Sequence, residues 1–225
     1  MPTVLVVGAS RGIGLEFARQ YAKAGWDVHA TYRTDSAGLE CIDGVQAHKL
    51  EVTSQGDIES LKDNLVNVPI DLLIHNAGIY GQKDAYFGNT DEQQWLETFQ
   101  VNTIAPMKII EAFAENVARS EKKTITALSS KMGSMSDNGS GGSYVYRSAK
   151  AALNAVMKSL SVDLADKYDI NVFTLHPGWV LTDMTGPNAL ITTEQSVSGM
   201  RSVIEGITKD KRGKFYDYKG CEILW

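Results

Sequence analysis

Tyr146-Arg147-Ser148-Ala149-Lys150 sets a phenol and an ammonium four residues apart. On a helix that spacing puts both on one face. A free phenol titrates near pH ~10, too high for a useful base at neutral pH. A neighbouring ammonium stabilises the phenolate and lowers that value, so the pair can exchange a proton with an alcohol or carbonyl oxygen. The lysine can also hold a ribose hydroxyl, tying proton transfer to a bound nucleotide. Tyr144 is not an equivalent choice, because its residue four positions on is Ser148. The pattern alone is common; its weight comes from its place, just after a strand and opening a helix. That is the end of the strands at which open α/β sheets bind ligands.

A second constellation stands near the start. Gly8-Ala9-Ser10-Arg11-Gly12-Ile13-Gly14 follows Val4-Leu5-Val6-Val7, a β-branched and leucine run of the kind buried on both faces in a parallel sheet. Glycines let the main chain turn tightly and approach a pyrophosphate, whose charge the next helix N-terminus favours. The spacing is GxxxGxG rather than GxGxxG. An NAD-preferring site usually ends its second strand with an acid for the ribose hydroxyls. Here that strand, Val28 to Tyr32, runs into Arg33, and Arg11 lies inside the glycine turn. Two guanidinium groups suit a ribose 2′-phosphate. The expected cofactor is therefore NADP(H) ahead of NAD(H), with Asp35 the residue that argues the other way.

These groups need elements to hold them. Leu15, Ala18, Tyr21 and Ala22 recur at helical spacing and Gly25 reads as the residue past the helix end. Further strands are expected at Leu50–Val52, Ile70–Ile74, Thr124–Leu128, Asn171–Leu175 and Lys214–Asp217. Between them, Ser54 and Asp57 open a helix with a capping-box pattern. Thr90 and Gln93 are expected to cap a long helix to about Val117, bent at Pro106. Another helix should run from Ser148 to Lys167. The loop-like stretches are Met132–Ser143 and Thr182–Thr193. Such alternation specifies an α/β fold: a doubly wound, mainly parallel seven-stranded, Rossmann-like sheet with helices on both faces, in one domain over 1–225.

Composition narrows the setting. The chain has 225 residues, 43% hydrophobic and 22% charged, enough for a large core without staples. A net charge of −5 argues against nucleic acid or an anionic membrane as partner. Two distant cysteines and four scattered histidines offer neither a disulfide framework nor metal-ligand spacing. With no signal segment and no membrane span, the expected location is cytoplasmic.

Six motifs in order then carry a resemblance: GASRGIG at Gly8–Gly14, HNAG at His75–Gly78, Asn102 in VNTIAP, LSS at Leu128–Ser130, YRSAK at Tyr146–Lys150, and HPGWVLTDM at His176–Met184. The chain resembles the short-chain dehydrogenase/reductase family over essentially its whole length. Its size and the ending from Gly213 to Trp225 are similar to the C-factor/sniffer-type carbonyl reductase group. The resemblance implies a small carbonyl or alcohol substrate and a homodimer or homotetramer. It implies that Ser130 bonds the substrate oxygen, Tyr146 exchanges its proton, and Lys150 lowers the tyrosine pKa and holds the nicotinamide ribose. Asn102 would hold a water linking Lys150 to solvent. Asn76, Ala77 and Gly78 would line the adenosine side, with Glu51 and Val52 near the adenine. Pro177, Gly178, Val180 and Thr182 would shape the nicotinamide pocket. Ser130 stands sixteen residues before Tyr146, farther than the family usually has it, which places a short insertion within Met132–Ser143. Ser129, Ser134 and Ser136 are the alternatives to Ser130. His75 stands where the family usually has Asn and is expected to be a packed strand-end residue. Met132, Met135, Trp179 and Met184 hint at a hydrophobic substrate. A non-catalytic NADP(H)-sensing or signalling protein is the alternative function.

Overall fold

In the computed structural model, which describes residues 1–36 and 38–225, seven strands form one wholly parallel sheet in the order β3-β2-β1-β4-β5-β6-β7. They are β1 (Thr3–Val7), β2 (Asp27–Tyr32), β3 (Val45–Lys49), β4 (Leu72–His75), β5 (Thr124–Leu128), β6 (Asn171–His176) and β7 (Phe215–Asp217). The helices are α1 (Gly12–Lys23), α2 (Gln55–Asn64), α3 (Glu92–Phe99), α4 (Ala105–Ala118), α5 (Tyr144–Tyr168) and α6 (Thr193–Glu205). No helix among the described residues is long and apolar enough to cross a membrane.

Strand side chains alternate between faces, and β1 feeds two cores. Leu5 and Val7 pack with Ile58 and Leu61 of α2, Phe113 of α4 and Leu153 of α5. Val4 and Val6 pack with Phe17 and Tyr21 of α1 and Met200 of α6. Because β1 is hydrogen-bonded to both β2 and β4, the order reverses there. The carboxyl ends of β1 and β4 thus flank the crevice where such sheets take ligands.

Four expectations are corrected. The third strand is Val45–Lys49, not Leu50–Val52. Leu50 and Val52 are buried just beyond it, Leu50 still giving its N–H to the Tyr32 carbonyl of β2, so their apolar character reflects packing at the strand end. Asp91, not Thr90, caps α3, its carboxylate accepting the Gln94 N–H. The expected long helix is instead α3 and α4 joined by a π-helical turn, Gln100–Ile104, and Pro106 sits in the first turn of α4, where its missing N–H costs nothing. Helix α5 starts at Tyr144, four residues before Ser148. Ser54 caps α2 as expected, and Gly25 follows the end of α1 at φ 76°.

Candidate active site

The glycine turn is shaped by close approach to the loop after β4. Gly8 has φ 82°, and a Cβ there would lie 2.7 Å from the Ala77 Cα. A Cβ on Gly14 would lie 2.6 Å from Asn76 Nδ2. Asn76 Nδ2 donates to the Gly8 carbonyl at 2.5 Å, and the Gly8 N–H donates to Thr31 Oγ1 at 2.9 Å. The Ala77 N–H bonds the Val7 carbonyl at 2.9 Å. Ser10 sits half-buried in the turn, and Ile13 packs against the α1 core. Helices α2, α3 and α6 are capped by the side chains of Ser54, Asp91 and Thr192, whereas Arg11 gives α1 no side-chain cap and its first turn holds no acid. Helices α4 and α5 also start without a side-chain cap or a first-turn acid, so what fits α1 to a pyrophosphate is that uncapped start together with the tight glycine turn at the carboxyl end of β1.

Both arginines are exposed and each has an acidic partner. Arg11 pairs with Asp183 at 3.1 Å, and Arg33 lies 4.0 Å from Glu51. Glu51 and buried Val52 follow β3 on this side of the crevice. Thr182 closes toward the turn, its methyl 3.4 Å from where a Gly12 Cβ would stand.

Tyr146 and Lys150 lie in the first two turns of α5, both buried. The Lys150 ammonium donates to the Leu128 carbonyl at 2.8 Å and stands 5.9 Å from the Tyr146 ring centroid. The Ser130 hydroxyl accepts the Met132 N–H at 3.2 Å and faces the Tyr146 phenol closely enough to hold its titration down against burial. The other serines do not meet the tyrosine. The Ser129 hydroxyl is buried without a partner, and Ser134 and Ser136 bond the Leu224 and Trp225 carbonyls. Asn102 lies in the π-helical turn, the kind of bulge that recurs at functional sites. Its amide holds Ile79 twice, accepting the N–H at 2.9 Å and donating to the carbonyl at 2.7 Å. Gly78 is the gap that lets this turn meet Lys150: a Cβ there would come within 3.0 Å of Asn102 Oδ1 and 3.5 Å of Lys150 Nζ.

The electrostatics differ from expectation at one point. Burial pushes the Tyr146 phenol up to about 12, opposed by the Ser130 hydrogen bond. The Lys150 ammonium, which gives one of its three N–H donors to the Leu128 carbonyl, is not among the groups that shift the phenol. Burial also brings Lys150 down to about 8. His75 is packed at the end of β4, as expected. Burial, with the Lys150 charge behind it, holds His75 down to about 3.

The far wall follows β6. The Pro177 carbonyl accepts the Ser196 hydroxyl at 2.6 Å, and Gly178 turns at φ 86° against Ile191 and Tyr218. Buried Val180 bridges Ile191, and its carbonyl accepts the Thr185 hydroxyl. Trp179, Met184 and Met135 are exposed and Met132 is half-buried, so none of them is core filler. Two participants carried no sequence signal, Thr31 under Gly8 and Tyr80, whose ring stacks on Tyr146, while Asp183 on Arg11 lies within the HPGWVLTDM motif without a role read from it.

The family model for short chain dehydrogenases matches residues 2–190. The chain therefore belongs to the short-chain dehydrogenase/reductase family of oxidoreductases. Within the family it is 39% identical to the C-signal of Myxococcus xanthus over 162 residues, covering 72% of this chain and 96% of that protein. It is 35% identical to the 1-hydroxy-2-glutathionyl-2-methyl-3-butene dehydrogenase of Rhodococcus sp. (strain AD45), covering 100% of both. Among solved structures, the carbonyl reductase Sniffer of D. melanogaster superposes with a TM-score of 0.91 at 28% identity, covering 100% of both chains. These similarities agree with the C-factor/sniffer-type resemblance.

Proposed function

We propose that this chain is a single-domain, NADP(H)-dependent oxidoreductase that interconverts an aldehyde or ketone with its alcohol, with Tyr146 as the general acid/base. The observation that carries the reading is the meeting of Ser130, Tyr146 and Lys150 at the carboxyl edge of the sheet, beside a glycine turn whose helix lacks a side-chain cap. Bound NADPH would supply the hydride to the carbonyl carbon. Tyr146, protonated at neutral pH, donates its proton to the carbonyl oxygen as charge develops there. Ser130 donates a hydrogen bond to the same oxygen. Lys150, still largely charged at pH 7, stabilises the phenolate left behind and supplies N–H donors for the ribose. Asn76, Ala77 and Gly78 would line the adenosine side, Glu51 and Val52 the adenine, and Arg11 and Arg33 the 2′-phosphate. Pro177, Gly178, Val180 and Thr182 would border the nicotinamide, and Asn102 would hold a relay water near Lys150. Exposed Trp179 and Met184 favour a hydrophobic carbonyl compound. The sequence reading sets this activity in the cytoplasm, in a homodimer or homotetramer.

Identity to a protein named C-signal favours one second reading, a signalling role without turnover. Reduction of a panel of aldehydes and ketones with NADPH separates the two. The parent should turn over, and Tyr146→Phe should lose about 10²–10⁴-fold in kcat while binding NADPH as before. Near-parent turnover by Tyr146→Phe would remove the tyrosine from the chemistry. NADPH binding without reduction of any carbonyl would favour the signalling reading.

A further inference from the structure

Tyr80 lies two residues past Gly78, directly after the Ile79 that Asn102 grips by both its N–H and its carbonyl. Its ring lies face to face with that of Tyr146, centroids 4.6 Å apart and planes 20° from parallel. Its hydroxyl is 3.1 Å from the Ser143 hydroxyl. Ser143 occupies the N-cap position of α5 but gives that helix no side-chain hydrogen bond. It has φ 49° and follows Gly141 and Gly142, each at φ 64°, so three left-handed residues in a row deliver the chain into α5. A serine is poorly suited to that conformation and keeps it only where neighbours hold it. The Tyr80 hydroxyl is such a neighbour.

We infer that Tyr80 is a positioning residue for Tyr146: its ring covers one face of the phenol and fixes its orientation, and its hydroxyl fastens the start of α5 through Ser143. The inference rests on the reading of Tyr146 as the proton donor. Two features make Tyr80 more than a packing contact. It is anchored by the same Asn102 turn that meets Lys150 across Gly78, so the loop after β4 and helix α5 are held in one register. Its hydroxyl and the Tyr146 ring are engaged at once, which leaves the stack little freedom to slide. The groups acting on the Tyr146 phenol from the packed elements are Ser130 from the end of β5, which lowers it, and Tyr80 from the loop after β4, which raises it, while the Lys150 ammonium one turn on in α5 stands 5.9 Å from the ring centroid. Burial sets the balance among them, and the Tyr80 ring is part of what buries the phenol.

The test compares Tyr80→Ala and Tyr80→Phe with the parent by two readouts. The first is the pH titration of ring-carbon-labelled tyrosine by NMR without cofactor, the Tyr146 signal being assigned by its absence in Tyr146→Phe. In the parent and in Tyr80→Phe that signal should stay put to about pH 11. In Tyr80→Ala, with water admitted to the ring face, it should begin to move about one pH unit lower. The second readout is kcat and NADPH affinity. Tyr80→Ala should lower kcat about tenfold through misplacement of the acid, with NADPH affinity unchanged, and Tyr80→Phe should recover most of the rate. Superimposable titrations and equal kcat in the parent and Tyr80→Ala would overturn the inference. Should Tyr80→Ala not fold, Tyr80→Leu, which also lacks the aromatic face, takes its place. If the parent reduces no carbonyl, or Tyr146→Phe is as fast as the parent, the proposed function fails instead, and the titration still decides whether Tyr80 governs the phenol.

Discussion

His75 and His176 make the folded chain sensitive to mild acid. Burial holds His75 down to about 3 and His176 to about 4, against an ordinary histidine value of 6.5. His75 Nε2 and His176 Nδ1 are buried without hydrogen-bond partners, and burial outweighs what favours the charged rings, a backbone hydrogen bond at His75 and the Asp217 charge near His176. The native state therefore keeps both rings neutral while the unfolded chain takes up protons, so stability is full above pH 6.5 and falls as pH drops below it. At pH 5 each ring lies about 1.5 pH units below the unfolded value, which costs about 2 kcal/mol per histidine at about 1.36 kcal/mol per unit. The pair then removes about 4 kcal/mol from a total of about 5–15 kcal/mol for a domain. His29 and His48, also held down by burial, act in the same direction. Depressed carboxylates such as Asp169, brought to about 2 by its bonds to Lys209 and Arg212, lose their contribution only at lower pH, outside this window. Urea unfolding followed by tryptophan fluorescence at pH 7.5, 6 and 5 measures the slope. His75→Asn should lower stability somewhat at every pH, since it leaves a gap. Between pH 7.5 and 5, however, it should lose about 2 kcal/mol less than the parent. Equal losses in parent and variant would show that His75 is not held neutral, and the reasoning from burial would fail.

Three further predictions concern two glycines and the nucleotide side. Gly14→Ala should cost about 1–3 kcal/mol in urea unfolding, as overpacking does, and impair NADPH binding, because its Cβ would meet Asn76 and Ala9. By contrast Gly56→Ala, with open space around it in the first turn of α2, should gain about 0.5–1 kcal/mol. Replacing both Arg11 and Arg33 with Ala should weaken NADPH binding at least about tenfold more than NADH binding, measured by nicotinamide fluorescence, since each charge-assisted contact to the 2′-phosphate contributes about 1.5–3 kcal/mol. Equal weakening of both cofactors would refute the 2′-phosphate assignment.

The fold was legible where one physical cause dominates the residue choice. Strands β1, β4 and β5 are buried on both faces, so their apolar runs are long enough to read, and the helices between them keep a clean amphipathic period. Strand β3 lies at the edge of the sheet and is only half-buried, so Gln46, His48 and Lys49 give no apolar signal, while Leu50 and Val52 beyond it do. The π-helical turn at Asn102 was invisible for a related reason. It is held by Thr103 bonding the Ala149 carbonyl of α5 and by Asn102 bonding Ile79, contacts distant in sequence. The site divides along the same line. Gly8, Gly14, Tyr146 and Lys150 are constrained by local geometry, tight turns and one-turn spacing, and the chain announces them. What decides their chemistry is not local. The Arg11 and Arg33 charges are shared with Asp183 and Glu51. The resemblance implies a tyrosine lowered by its lysine, yet the phenol is raised, because burial prevails over the groups around it. Sequence spacing can bring two groups to one helix face, but the sign of a pKa shift depends on what the rest of the fold packs around them. Here that includes the Tyr80 ring, a neighbour no motif specifies.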